Sequence, residues 1–498
     1  MSRCELRAAP LDFHRLRDCA NAAQIDSHTE RMRLGQTNLL RSASFFPRRL
    51  TFATLRAMSA LPRGSVSQPP VSRERHVVVI GAGIVGASTA WHLAKKGCRV
   101  TLLDRETPRA IADGASGGNA GLLSIGHYPL TRPGVSMRGL KWMFSRTAPL
   151  YIKPRLDREL IAWLWNFHLH CNKRHLDRCM EVLCAMGWQT LETLEEMLEE
   201  ESIQCDYARD GWLDVVMKPE NMAHAEAEAK SLEKFGYKWE RIDGDELRRR
   251  DPCFRREVAG AIHMKDSAHC APNDLIAGLV RALPRHGVET RFDAEVRAFR
   301  QSRSGAMTAV ELTSGETIAA DAIVLAAGVW SDALGRLAGV KIPMQGARGY
   351  HLQFDYPAEN PPPLPSTGMV LHETFVAITP MAREGKQQLR LAGTLEIGPL
   401  GQPWMRERLE MLVKGSVAYL EGLDVLRPSA EWAGYRPCTS DGMPAIGGVR
   451  SKPGLFVATG HAMMGMTLGP VTGKAMAEIV TGEKPCFDVS MLNPERFG

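Results

Sequence analysis

The sequence predicts an α/β fold, α+β overall: a Rossmann-like dinucleotide-binding domain with a mainly antiparallel sheet inserted into it. Three observations predict it. A β-branched apolar run, His76–Ile80, ends in glycines at Gly81, Gly83 and Gly86, and a second apolar run closes on an acid, Asp104. Strand-and-helix blocks of the same kind recur around Asp321–Gly328 and Gly454–Thr467. Between them lie long helical patterns and a stretch from Gly349 to Glu396 in which strand-like runs alternate with proline-rich breaks.

In the opening unit each residue type has a physical task. Gly81 permits the tight turn, Gly83 lets backbone approach a pyrophosphate, and Gly86 lets the next helix pack on the strand. The helix entered at Ile84 aims its N-terminal N–H groups and positive dipole end at the phosphates, so Ala82, Ile84 and Val85 join the expected contacts. Asp104, with Arg105 after it, follows Gly81 by 23 residues, where a carboxylate binds ribose hydroxyls. A glycine triplet alone is weak evidence. Strand, glycines, helix, strand and acid in that order specify an adenine dinucleotide without saying which one.

Further along, Asp113–Gly121 is too rich in small residues for a helix interior and suits close backbone approach to a ligand. Residues 157–201 carry apolar positions at helical spacing (Leu160, Trp163, Leu164 and Phe167, then Leu191, Leu194 and Leu198) and read as long helices. Gly211–Val216 reads as a strand and Glu220–Lys234 as a surface helix. Pro272 opens a helix reaching His286, strands start at Val288, Ala294, Met307 and Asp321, and a helix covers about 403–420. The strand Gly454–Ala458 leads into a helix after Gly465. The nucleotide-binding domain is therefore expected in three pieces, 76–145, 268–345 and 430–485, with the inserted domain at 146–267 and 346–429. No internal repeat is present.

Composition narrows the function classes. The net charge of +6 is concentrated at one end: residues 1–75 hold thirteen Arg, no Lys and six acidic residues, and the rest is nearly neutral. That distribution argues against a nucleic-acid partner. Arg31–Arg73 contains eight Arg and no acid, with Ser and Thr interspersed, which reads as an organelle transit peptide, most simply mitochondrial. The other reading is an upstream extension with initiation at Met32 or Met58 and a cytoplasmic protein. Either way residues 1–75 are expected to be disordered and outside the fold. Eleven Cys without CxxC or zinc-ligand spacing point to reduced thiols and no metal centre. No apolar run approaches the ~18 residues of a membrane span. The segment from Leu140 through Trp142 and Phe144 to Trp163 and Trp165 sets aromatics beside Lys and Arg. A core helix is the plainer reading, and peripheral membrane contact the other.

Four stretches carry a family likeness: the opening motif with Asp104; Gly117–Gly121 with Pro133-Gly134 and Lys141-Trp142; Ala326–Ser331; and Trp432–Pro437 with Thr439–Gly447 and Gly460–Pro470. Together, spanning His76 to Pro485, they resemble the FAD-dependent amino-acid oxidases and dehydrogenases of the D-amino-acid oxidase superfamily. The chain looks most like the D-amino-acid dehydrogenases, in particular their small subunit, and like their hydroxyproline- or glycine-oxidising relatives. The resemblance implies FAD, held without a covalent bond, because Cys438 does not align with the attachment cysteine of the sarcosine-oxidase branch. It implies cofactor contacts at Gly117, Asn119, Ala120 and Gly121, then at Val296, Gly328 and Trp330. It also implies them at Gly460 and at the helix start Gly465, Met466 and Thr467.

Arg436 is the residue expected to recognise substrate, since a guanidinium fork matches an amino-acid carboxylate bidentately. His461 is either a flavin-side residue or a packed turn residue. Ala462 stands where relatives commonly have Gly. The Tyr350 hydroxyl is expected either to bond substrate or to be an ordinary sheet residue, with His351 and His372 weaker candidates. The implied reaction oxidises the CH–NH bond of an amino acid, a D-amino acid first, by hydride transfer to flavin N5. The imine is then hydrolysed to a keto acid and ammonia, and oxygen or a quinone takes the electrons. Alternatives are a glycine-, sarcosine- or proline-type secondary-amine oxidase, and a flavoprotein component of a larger oxidoreductase that has lost turnover. An NAD-dependent dehydrogenase is disfavoured by the dispersed nucleotide blocks.

Overall fold

The computed structural model describes residues 74–497 other than Phe144, Thr147 and Glu384, and only the backbone of Leu140 and Lys141. The targeting segment lies outside the described residues, apart from Glu74 and Arg75, and so does Phe144 of the aromatic segment.

Apolar runs that are buried on both faces make the central strands parallel ones. The order across this six-stranded sheet is Ala445–Gly448, Leu455–Thr459, Ala322–Leu325, His76–Ile80, Arg99–Leu103 and Glu289–Arg291. All neighbours are parallel except Ala445–Gly448. Alternation along each strand feeds two cores. Val77, Val79, Leu102 and Val324 face the helices Ile84–Lys95, Gly465–Thr481 and Lys173–Glu201. Val78, Ile80, Leu103 and Leu325 face a three-stranded antiparallel sheet of Val296–Gln301, Met307–Leu312 and Thr317–Ala319.

The larger sheet runs Pro428–Thr439, Met344–Asp355, Lys386–Ile397, Val376–Arg383, Met369–Leu371, Trp212–Val216, Gly260–Met264 and Trp239–Asp243, with Leu150–Ile152 pairing Lys386–Ile397 as a side branch. It is antiparallel except where Leu150–Ile152 joins and where Met369–Leu371 meets Trp212–Val216.

Two pieces change domain relative to the sequence boundaries. The strand Pro428–Thr439 is an edge of the large sheet, because it pairs with Met344–Asp355 along its whole length, from Met344 opposite Thr439 to Phe354 opposite Pro428. The helix Lys173–Glu201 packs under the nucleotide sheet through Leu183, Leu191, Leu194 and Met197. The preceding helix, Arg158–His170, also departs from a plain core helix. Leu160, Trp163 and Phe167 are buried, whereas Ile161, Trp165 and Leu169 point to solvent.

The junction from the first strand into the helix Ile84–Lys95 is the tightest point of the nucleotide domain. Gly81 has φ +106°, and a Cβ on Gly86 would lie 1.8 Å from the Gly81 carbonyl oxygen. Substituting Gly86→Val should therefore cost about 3 kcal/mol or more and strip the dinucleotide. Thermal unfolding and the cofactor-to-protein absorbance ratio read both effects; unchanged values would show that the junction tolerates a side chain.

Candidate active site

The carboxyl ends of the parallel strands converge, which is where open α/β sheets bind ligands. Gly81 N–H donates to the Leu103 carbonyl at 2.7 Å and Ala82 N–H to Asp104 Oδ2 at 2.7 Å. Glu106 N–H donates to Asp104 Oδ1 at 2.9 Å. Burial pushes the Asp104 carboxyl up, and these two backbone donors pull against it. An ionised carboxylate has about four lone-pair positions, so two remain for ribose hydroxyls. Ile84 N–H, in the first turn of its helix, donates to Ser116 Oγ at 3.0 Å.

The Arg105 guanidinium lies 4.0 Å from the Trp330 ring centroid, joining two expected contact residues. Ala294 N–H donates to the Asp104 carbonyl, which brings Val296 to the same rim, and the Gly328 carbonyl accepts from Thr459 Oγ1 at 3.0 Å, beside Gly460. The helix Gly465–Thr481 starts at these strand ends with no side chain capping it, so its first-turn donors at Gly465, Met466 and Thr467 are available to an anionic or carbonyl ligand. Val85 continues the first helix. These residues together fit an extended adenine dinucleotide.

The small-residue loop is clamped by a residue that no motif singles out. Arg390 is buried, and its guanidinium donates to the Gly117 carbonyl at 2.9 Å, the Asn119 carbonyl at 2.7 Å, Asn273 Oδ1 at 2.6 Å and Gln353 Oε1 at 2.9 Å. Burial lowers its pKa to about 10, so it stays charged at neutral pH. Its one signal in the sequence is a charge between two leucines, Leu389 and Leu391, in a strand. His351 donates from Nδ1 to the Gly118 carbonyl at 2.9 Å, since a carbonyl can only accept. Its ring stacks on Trp432 at 5.0 Å, and the Trp432 indole N–H donates to the Asp113 carbonyl at 2.6 Å. Gly121 N–H closes the loop on Asn119 Oδ1, with Ala120 between them.

Arg436 lies on the same face of the large sheet. Strand alternation puts Trp432, Gly434 and Arg436 on one side, and register places Gly349 opposite Gly434. The guanidinium folds back over Gly349, where a Cβ would lie 2.0 Å from Nη1. Nη1 donates to the Thr394 carbonyl at 2.9 Å, and no carboxylate among the described residues lies beside it. Thr394 itself is a β-branched residue at φ +56°, in a stretch where the pairing slips between Arg348 opposite Glu396 and Tyr350 opposite Gly393. The bulge turns its carbonyl toward Arg436.

The other two candidate catalytic side chains are turned elsewhere. Tyr350 stands opposite Ala433, one residue out of phase with Arg436, and therefore faces the far side of the sheet. Its hydroxyl donates to Glu396 Oε2 and accepts from Met405 N–H at 3.1 Å. Burial and Glu396 push it up to about 12. Of its two readings, these bonds fit the ordinary sheet residue. His461 is buried with Nε2 at 3.0 Å from Thr472 Oγ1, inside the helix that follows, and burial holds its pKa at about 4. It is the packed turn residue of the two readings. His372 pairs with Asp214 at 2.9 Å on a different strand. Cys438 is buried, and its thiol is pushed up to about 12.

Two substitutions probe these assignments. Arg390→Met leaves the Gly117 and Asn119 carbonyls and Asn273 without their donor, so denaturant unfolding should show a loss on the order of 3 kcal/mol and weaker FAD retention; an unaltered midpoint would remove Arg390 from the clamp. The folded chain resists protonating His461, so between pH 6.5 and about 4 the unfolded chain binds the extra proton and stability falls as pH drops. His461→Gln should lose less stability than the parent across that window, measured by unfolding at each pH. Parallel losses would place the acid sensitivity elsewhere.

The fold has counterparts. The chain is 28% identical over 428 residues to a D-amino acid dehydrogenase of Xanthobacter autotrophicus, covering 84% of this chain and 99% of the relative. It superposes on glycine oxidase from Geobacillus kaustophilus with a TM-score of 0.66 at 22% identity, covering 85% of this chain and 99% of that one. For L-proline dehydrogenase from P. horikoshii the TM-score is 0.63 at 20% identity, with 86% and 98% covered. The family model described as FAD dependent oxidoreductase (DAO) matches residues 76–479, and the chain belongs to that family.

Proposed function

We propose that this chain oxidises the CH–NH bond of an amino acid, a D-amino acid first, using non-covalently held FAD. The observation that carries the reading is Arg436: a sheltered guanidinium with one backbone carbonyl and, among the described residues, no carboxylate is built to receive an anion. FAD, when bound, supplies the acceptor for the hydride leaving Cα, and water hydrolyses the resulting imine to a keto acid and ammonia. The protein's part is positioning. Arg436 fixes the carboxylate end of the substrate, and the Thr394 carbonyl fixes Arg436. The uncapped helix start at Gly465–Thr467 offers a positive dipole end to charge developing nearby. The thiol of Cys438, held protonated by burial, is a poor nucleophile for attachment, which supports non-covalent FAD.

The D-amino acid dehydrogenase relative supports the choice of substrate class. The acceptor is proposed to be oxygen or a quinone. The Arg-rich, acid-free stretch Arg31–Arg73 supports a mitochondrial address.

Anaerobic mixing with D-amino acids, glycine, sarcosine and proline tests the reading through bleaching of the flavin absorbance. D-amino acids should bleach it fastest. Fastest bleaching by sarcosine or proline would favour a secondary-amine substrate, fastest bleaching by glycine a glycine-type oxidase, and no bleaching by any would contradict all three. Arg436→Ala should raise KM roughly a hundredfold while FAD stays bound, because a charge-assisted fork to carboxylate is lost. Arg436→Lys should fall between. Unchanged KM in Arg436→Ala would refute the assignment.

A further inference from the structure

Among the described residues, the exposed large apolar side chains gather unevenly. Ile161, Trp165 and Leu169 recur every four residues on the outward face of the helix Arg158–His170, each more than half exposed, and Leu156, two residues before the helix, is fully exposed. The other exposed residues of that helix are Arg158, Glu159, Ala162 and His168, so Glu159 is its one exposed acid. Met137, also exposed, joins from the helix Val135–Trp142, which is tied alongside by Ser136 Oγ at 3.0 Å from His168 Nδ1. The surrounding charge is one-sided. Three acids flanking it each have a cation: Asp157 has Arg155 at 3.0 Å, Glu159 has Arg336 at 2.7 Å and Asp177 has Lys173 at 2.5 Å. Arg138, Arg158 and Arg174 are exposed and make no ion pair among the described residues.

We infer that this face docks on an anionic lipid surface, lying in the interface with Trp165 at its centre. An outward apolar stripe with Trp, bordered by unneutralised arginines, matches an interfacial helix and not a protein–protein core, which excludes unpaired charge. The chain's own N-terminal segment is a poor occupant, since its excess of arginine over acids carries the same sign. A second copy would bring the same cations face to face. Docking here has a consequence for the site. Trp163 Nε1–H donates to the Cys438 carbonyl at 3.0 Å and Asn166 Nδ2–H to Ser440 Oγ at 2.7 Å, so the helix is bonded to the end of the strand that carries Arg436. A lipid surface under the helix would lie beside the strand end that carries Arg436, and the oxidation proposed there could pass its electrons to a lipid-dissolved acceptor. Only this consequence rests on the proposed oxidation; docking is read without turnover, so either can fail alone.

The test uses holoenzyme and vesicles of phosphatidylcholine with phosphatidylglycerol, sedimented together, with pure phosphatidylcholine as comparison. The protein should pellet with the anionic vesicles and be released by salt. The triple variant Ile161→Ser, Trp165→Ser, Leu169→Ser should bind about tenfold or more weakly while reducing a soluble dye at the parental rate. Brominated lipid should quench fluorescence in the parent, and Trp165→Phe should lose that quenching, which separates this face from binding by the Arg-rich N-terminus. The inference is overturned if the parent stays in the supernatant, or if Trp165→Phe is quenched like the parent. It is equally overturned if the triple variant pellets like the parent, or if the parent is a dimer that the triple variant dissolves.

Discussion

The guanidinium of Arg436, folded over Gly349 and held by one carbonyl, sets the terms for the structure around it. Its charge sits among sheet atoms where desolvation pulls its pKa down, yet no neighbouring carboxylate among the described residues offsets that cost. Three local features exist to fit it. Gly349 leaves the space, the bulge near Thr394 supplies the carbonyl, and Thr394 accepts a left-handed backbone that costs roughly 1–3 kcal/mol for a non-glycine residue. Strain concentrated at one anchor is what a preorganised anion site requires: the receptor is built before the ligand arrives.

The same sheet face also fixes the cofactor side. Arg390, His351 and Trp432 reach from the large sheet to four backbone carbonyls of the loop 113–121. Because Trp432 and Arg436 share one strand, the loop 113–121 and the guanidinium proposed to receive the carboxylate are referenced to a common support. Movement of that strand would disturb both. This is a physical reason for the long, regular pairing between Pro428–Thr439 and Met344–Asp355, and for the stacked His351–Trp432 pair at its middle.

Features set by neighbours in sequence were legible. The strand, glycine turn, helix and Asp104 form a local unit, and the structure brings Asp104 to Ala82 as the motif requires. The motif around Arg436 singles out its position in the same way, and the structure sets its guanidinium on the Thr394 carbonyl. What escaped depends on register between strands far apart in the chain. Whether Tyr350 shares a face with Arg436 turns on Ala347, and not a residue one step away, standing opposite Arg436; a slip of one would reverse the answer. The tasks of Gly349, Thr394 and Arg390 are likewise cross-strand facts. The sheet that Pro428–Thr439 joins was not legible, because a strand's sheet membership is decided by its partner, not by its own composition. The helix Arg158–His170 was readable as apolar, but its apolar residues occupy both faces, so periodicity alone did not tell core from surface.

Arg436 as a carboxylate receptor beside a bound flavin is tested most directly by titrating the holoenzyme with a small carboxylic acid and with its neutral amide, following the flavin absorbance spectrum. The acid should perturb the spectrum saturably and compete with substrate, the amide should do neither, and Arg436→Ala should abolish the distinction. Equal binding of acid and amide, or full acid binding by Arg436→Ala, would contradict it.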